Sequence, residues 1–257
     1  MVNAAWRSFH DEIARWRDTG RRVEFWWRDD DASQRTPALS RLFDLASDAG
    51  VPLALAIVPN GAKQGLLEGV VPGVVALQHG VDHRNRAETG GKKTEFPLGE
   101  SVDSALARLA TGKAQLGQVA GSRALPVLTP PWNRLSAALV PHLAVAGYRG
   151  LSTYGARKAA ETVPGLKQVN THADVIDWKR GRCFGGEDYV LGQAIRHLAS
   201  RRAGQADASE PTGWLTHHAV HDEAAWNFLA RLFEATCGNV GVKWLHPADL
   251  FALGRDK

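Results

Sequence analysis

The feature that most constrains this chain is an alternation. Short apolar runs rich in β-formers, at 23–28, 52–58, 74–78, 125–129, 150–153, 174–178, 213–216 and 242–245, are separated by stretches with apolar residues at helical spacing. The helical stretches read "TPALSRLFDLASDAG", "SVDSALARLATGKAQLGQVA", "LSAALVPHLAVAGY", "EDYVLGQAIRHLASRRAG" and "HDEAAWNFLARLFEATCG". Gly50, Gly147 and Gly238 mark helix ends, where glycine readily adopts the left-handed conformation. Strands alternating with helices predict a parallel sheet. About seven or eight such units favour a closed or nearly closed (β/α) barrel over an open sheet. With no repeat, low-complexity tract or linker, residues 1–257 read as a single domain. Residues 84–99, "RNRAETGGKKTEFPLG", read as a loop over one face.

The formal charge of +4 is mild and no basic run reaches five residues, so no nucleic-acid partner is expected. No apolar stretch approaches ~18 residues and no basic leader precedes an apolar segment. The expectation is a cytoplasmic protein with no membrane span. Cys183 and Cys237 form no CxxC and are read as free thiols. The nine Trp are the one compositional excess; such rings fill cores and also line pockets for ring-shaped ligands.

Polar residues gather at the C-terminal ends of the expected strands. Asp29, Asp30 and Asp31 follow the first, His79 and His83 the third, and "TPPWNR" the fourth. "DVIDW" closes a later strand and "LTHHAVHD" ends the seventh. In a (β/α) barrel that face carries the active site. His79 and His83 form HxxxH, and two imidazoles with one carboxylate make a common set for a divalent cation. Three adjacent carboxylates repel one another, and capping the next helix needs only one. A cation relieves the repulsion if one Asp binds it and a neighbour serves as base. Among His217, His218 and His221, an imidazole at a strand end facing a metal site is a natural general acid, with Asp177 to orient it.

Taken in order, these motifs resemble the polysaccharide deacetylase family of metal-dependent carbohydrate esterases. The strand ending in Asp30-Asp31, the His79/His83 pair, "TPPWNR", "DVIDW" from Asp174 to Trp178, and "LTH" at 215–217 match its five motifs. The resemblance spans roughly residues 25–220. It implies a distorted (β/α) barrel with about seven parallel strands, of the glycoside hydrolase/deacetylase type. It also implies removal of an acetyl group from an N-acetylated sugar or related amide by metal-activated water. Asp30 is then the base, and Asp31, His79 and His83 hold the metal, most often Zn²⁺, with Co²⁺ or Mn²⁺ as options. His217 is the acid, with Asp177 as its partner. Trp132, beside Pro131, supplies an oxyanion-binding N–H, and Trp178 and Arg134 complete the substrate contacts. The partner implied is a small molecule or oligosaccharide.

The chain departs from the family at two places. Thr129 stands where the third motif usually begins with an arginine that tethers the base, leaving Arg28 or Arg134 to supply the guanidinium. "RDDDA" replaces Phe-Asp-Asp-Gly, so the base is Asp29 or Asp30. Competing readings are a non-haem iron site at His172–Asp174, a second metal site within 217–221, a hydrolase of non-sugar C–N amides, and a degenerate binding module.

Overall fold

The computed structural model describes residues 4–253. Strands β1 (Val23–Ala32), β2 (Leu53–Ile57), β3 (Val74–His79), β4 (Ala124–Thr129) and β5 (Gly150–Leu151) pair in parallel in sequence order. An antiparallel pair follows, β6 (Glu161–Val163) with β7 (Leu166–Gln168), and β7 lies parallel to β5. Next come β8 (Ala173–Asp174) and a small hairpin of β9 (Ile176–Asp177) with β10 (Cys183–Phe184). β11 (Thr212–Thr216) pairs with β8 on one side and β1 on the other, and β12 (Val242–Trp244) pairs with the start of β1.

Because β7 and β8 belong to one stretch, residues 166–174 join the two ends of the sheet, and a bridge between Tyr154 and Thr171 seals the seam. β1 to β5, the β7–β8 stretch and β11 are the parallel staves of the expected distorted (β/α) barrel. Helices α1 (Ala4–Asp18), α2 (Pro37–Ala49), α3 (Val102–Ala120), α4 (Val140–Leu143), α5 (Glu187–Arg202), α6 (Glu223–Thr236) and α7 (Pro247–Leu250) flank it. None among the described residues is long and apolar enough to cross a membrane.

Strand alternation divides the core. Phe25 and Trp27 of β1, with Leu53, Leu55 and Ile57 of β2, face outward into the main core shared with α1, α2, α5 and α6. Trp26, Ala54, Ala56, Val75, Leu77 and Val127 fill the barrel interior, plugged by Leu250 and Phe251. Small residues make room for the Trp26 indole, whose Nε1 donates to the Asn170 carbonyl (3.0 Å). A Cβ at Gly213 would lie 2.4 Å from that nitrogen, and one at Gly150 would lie 2.4 Å from the Phe251 ring. Both positions need glycine for close approach.

Local signals explain where the elements stop. Thr36 caps α2 by accepting from the Leu39 N–H, Pro37 opens it, and Gly50 (φ 62°) closes it. The helix expected across 135–148 shrinks to α4, because Pro141 blocks upstream helix and Gly147 (φ 82°) ends the segment. The strand expected at 174–178 splits into β8 and β9. α1 lies outside the strand–helix alternation and forms on its buried stripe of Trp6, Phe9, Ile13 and Trp16.

Candidate active site

β1 runs past residue 28 to Ala32, so the three aspartates lie within the strand. Alternation turns Arg28 and Asp30 inward beside Trp26, and Asp29 outward beside Trp27. Asp31 should then follow Asp29 outward. Instead the β1–β2 register slips between Asp29 and Ala32, and Asp31 adopts a left-handed backbone (φ 74°). The bulge re-aims its carboxylate toward β3.

There Asp31 Oδ1 meets His79 Nε2 at 3.0 Å and His83 Nε2 at 3.1 Å. His79 Nδ1–H donates to the Thr129 carbonyl (3.0 Å), which leaves the Nε2 lone pair aimed at a carboxylate oxygen. Acceptors so placed repel unless a proton or a metal ion stands between them. Burial alone would lower the His79 pKa, but the charges of Asp30 and Asp31 outweigh it and raise it. Burial pushes Asp31 upward, and its bonds to both imidazoles more than reverse that, holding it far below the carboxylate range. The donor set fits a divalent cation.

Asp30 is clamped by Arg28 from two residues away on the same strand. Nε donates to Oδ1 (2.9 Å) and Nη2 to Oδ2 (3.0 Å). The remaining guanidinium protons go to Ser152 Oγ (2.7 Å), the Thr153 carbonyl (3.3 Å) and Asn133 Oδ1 (2.7 Å), so all of the donors are satisfied with the side chain fully buried. Arg134 is exposed and donates to the Lys93 carbonyl (3.2 Å). Arg28, not Arg134, therefore holds Asp30. Asp29 contacts neither group. It accepts from Thr216 Oγ1 (2.7 Å) and from the N–H (2.9 Å) and Nδ1 (2.5 Å) of His218.

His217 is buried, its ring edge-on to Trp178 at 4.7 Å, and its Nδ1 has no partner among the described residues. Asp177, expected beside it, is elsewhere. Its Oδ1 accepts from the N–H groups of Lys179 (2.9 Å) and Arg180 (3.2 Å), because Asp177 ends β9 and its side chain caps the turn that follows. Asp174 lies nearer to His217: burial raises the Asp174 pKa, and the charge of His217 offsets part of that rise. Asp174 also accepts from Trp178 Nε1 (2.8 Å), fixing the indole against His217. Trp178 keeps 40% of its surface exposed.

The Trp132 ring lies 4.5 Å from His83, and Pro131 packs where a Cβ on Gly80 would clash. Asn133 and Thr153 open into an adjoining groove of about 560 Å³, also lined by Thr94, Phe96, Arg134 and Gln168. Asp31, His83, Trp132 and Asn133 all have positive φ (74°, 55°, 55° and 56°), strain of the kind that gathers at functional sites. The sequence reading missed Glu95, a fully buried carboxylate inside the polar 84–99 loop. It accepts from the N–H groups of Val81 (3.0 Å), Asp82 (3.2 Å) and His83 (3.2 Å), and so shapes the turn that presents His83.

A second cluster, His172, His197 and Glu210, is buried near the N-terminal ends of β8 and β11. His172 Nδ1 accepts from the Gly213 N–H (3.0 Å), which places its proton on Nε2, 3.3 Å from Glu210 Oε2. Glu210 also accepts from the N–H groups of Arg157 (2.8 Å) and Asn170 (3.0 Å). His172 and Asp174 thus serve different neighbourhoods, and the HxD reading does not assemble. Nor does the 217–221 group, since His218 turns away to Asp29.

No family model and no curated protein matches the sequence. Solved structures do match it. One from Mycobacterium smegmatis, assigned as a polysaccharide deacetylase, is 13% identical and aligns with a TM-score of 0.60 over 93% of this chain and 96% of its own. A peptidoglycan N-acetylglucosamine deacetylase is 14% identical with a TM-score of 0.54, over 92% and 91%. A family 4 acetyl xylan esterase from Clostridium thermocellum, in complex with a cobalt ion, is 14% identical with a TM-score of 0.52, over 89% and 90%. At such identities the likeness is one of architecture, and the chain is a divergent example of the polysaccharide deacetylase fold.

Proposed function

We propose that this protein is a metal-dependent hydrolase that removes an acetyl group from the nitrogen of an N-acetylated sugar or related amide. The observation that carries this reading is the convergence at one barrel mouth of three functional groups, made by five side chains. They are the Asp31, His79 and His83 set, the arginine-clamped carboxylate of Asp30, and the buried His217 imidazole, whose Nδ1 has no partner among the described residues. Asp31, His79 and His83 would hold the cation, Zn²⁺ first, with Co²⁺ or Mn²⁺ as alternatives. Such an ion supplies Lewis acidity toward water and the acyl carbonyl.

The chain's own residues supply the rest. Asp30, held in one orientation by Arg28, takes the proton of the attacking water. The backbone N–H of Trp132, on a strained turn beside the site, hydrogen-bonds the developing oxyanion. His217 delivers a proton to the leaving nitrogen, and Asp174 rather than Asp177 is the carboxylate that holds Trp178 against its ring. Trp178 offers a half-exposed indole on which a sugar ring can stack, Arg134 borders the adjoining groove, and Pro131 lies buried beside Trp132. The substrate class is a small molecule or oligosaccharide. A binding module without activity loses its main support, because Arg28 replaces the missing arginine of the third motif.

The test is an acetate-release screen over N-acetyl sugars, nucleotide sugars and small amides, with Zn²⁺, Co²⁺ and Mn²⁺ supplied in turn. Turnover dependent on one of these ions is expected. Purified protein that binds none of them would sink the reading.

A further inference from the structure

Asp29 is the one member of the acidic triplet that neither the cation set nor the base uses, yet it is completely buried. Its partners lie on both sides of the proposed acid. Oδ2 accepts from Thr216 Oγ1 (2.7 Å) and the His218 N–H (2.9 Å), and Oδ1 from His218 Nδ1 (2.5 Å). Thr216 is also the residue paired with Asp29 across the β1–β11 ladder, and its hydroxyl accepts from Trp27 Nε1 (2.9 Å). His217 itself has little to hold it. Its Nδ1 lacks a partner among the described residues, and its ring touches Trp178 only edge-on. Besides that contact, what places the imidazole is its backbone, which sits at φ −142°, ψ 86° between β11 and a turn.

Building on the function proposed above, we infer that Asp29 is a positioning residue. By gripping Thr216 and His218 it fixes the backbone of His217, and it rivets the strand carrying Asp30 to the strand carrying the acid. Asp29 touches no reacting atom and holds no cation. It sets the distance between base and acid, a quantity to which proton-transfer rates are sensitive. The outward parity of Asp29 on β1 makes this possible, since the same alternation that points Asp30 into the barrel points Asp29 at the residues flanking His217.

The experiment compares Asp29→Ala, His218→Phe and His218→Asn with the unaltered protein. Bound zinc per chain, kcat and KM for the best substrate of the screen, and the ¹⁵N NMR signature of the His217 ring are measured. Asp29→Ala and His218→Phe should lower kcat about 10- to 100-fold. KM and zinc content should hold, while the His217 ring becomes rotationally averaged. His218→Asn, whose amide can replace the Nδ1 donor, should recover most of the rate and the ordered ring. Activity that falls only in step with zinc content or folded fraction would overturn the inference, as would a failure of His218→Asn to rescue. The NMR arm stands without turnover: a His217 ring as ordered in Asp29→Ala as in the parent overturns the positioning role, whereas absence of acetate release in the parent strikes only the function.

Discussion

Asp31, His79 and His83 meet at the C-terminal mouth of the barrel; His172, His197 and Glu210 meet near the N-terminal ends of β8 and β11. Both groups contain two imidazoles and one carboxylate. They differ in where the second ring nitrogen points. His79 gives its Nδ1 proton to the Thr129 carbonyl and turns a lone pair toward Asp31, whereas His172 spends its Nδ1 lone pair on the Gly213 N–H and turns a proton toward Glu210. The first group turns the His79 lone pair and His83 Nε2 toward one Asp31 oxygen, an arrangement that fits a cation. In the second, Glu210 is already served by two backbone N–H groups, and the His172 and His197 Nε2 atoms have no hydrogen-bond partner among the described residues. Residue type alone does not make a metal site; the hydrogen bond behind each imidazole decides.

The sharpest way to break this contrast is metal analysis of paired double variants. His79→Ala/His83→Ala should fall from about one bound Zn²⁺ per chain to nearly none, with acetate release lost. His172→Ala/His197→Ala should keep its zinc, and a loss there would make the lower group a second metal centre. Next in size, Asp30→Asn should reduce kcat about 10²- to 10⁴-fold with zinc content intact, and His217→Ala by a similar factor. If Asp29→Asn rather than Asp30→Asn abolishes turnover with the ring of His217 still ordered, the base is misassigned.

For the lower group the expected effect is on stability. Glu210→Ala orphans buried N–H groups of Arg157 and Asn170 and should cost about 3 kcal/mol in denaturant unfolding, with kcat per folded molecule unchanged. The same group predicts a pH dependence. Burial lowers the His172 pKa well below its ordinary value and that of His197 to about 2. The unfolded chain therefore binds protons that the folded chain refuses, so this stability is full above about pH 6.5 and is lost as pH falls toward 2. Glu210, raised by burial, works the other way over its own range, but it is one group against two. A Tm indifferent to pH between 7 and about 4 would count against the buried neutral pair. Smallest of all, Asp177→Asn should alter kcat less than about threefold, while Asp174→Asn should lower it more, about tenfold.

The staves were legible because continuous apolar runs with buried faces leave little choice of structure, and β1 to β4 and β11 form where those runs lie. The candidate site was legible from polar residues at the C-terminal ends of strands, where Asp31, His79 and His83 do meet. What escaped were features set by small local departures. A one-residue bulge after Asp29 re-aims Asp31 against the alternation that orients Asp29 and Asp30, and periodicity does not encode it. The break after Asp174 leaves Asp177 bonded to the Lys179 and Arg180 N–H groups and Asp174 bonded to Trp178 beside His217. Glu95 lay hidden in a loop whose glycines, lysines and arginines read as solvated surface, and only its three backbone donors reveal it.

The arginine on β1 has a consequence for how such proteins diverge. When the tether sits in a loop distant from the base, tether and base must be kept in step across the chain. Here Arg28 and Asp30 are alternate residues of one strand, so a short R-x-D segment carries both through any rearrangement of the outer loops. The turn after β4 still contributes, since Asn133 Oδ1 accepts from Arg28 Nη2 at 2.7 Å, but it need not supply the guanidinium itself. A sequence search keyed to R-x-D-D followed by HxxxH would gather a lineage that a search demanding the loop arginine passes over.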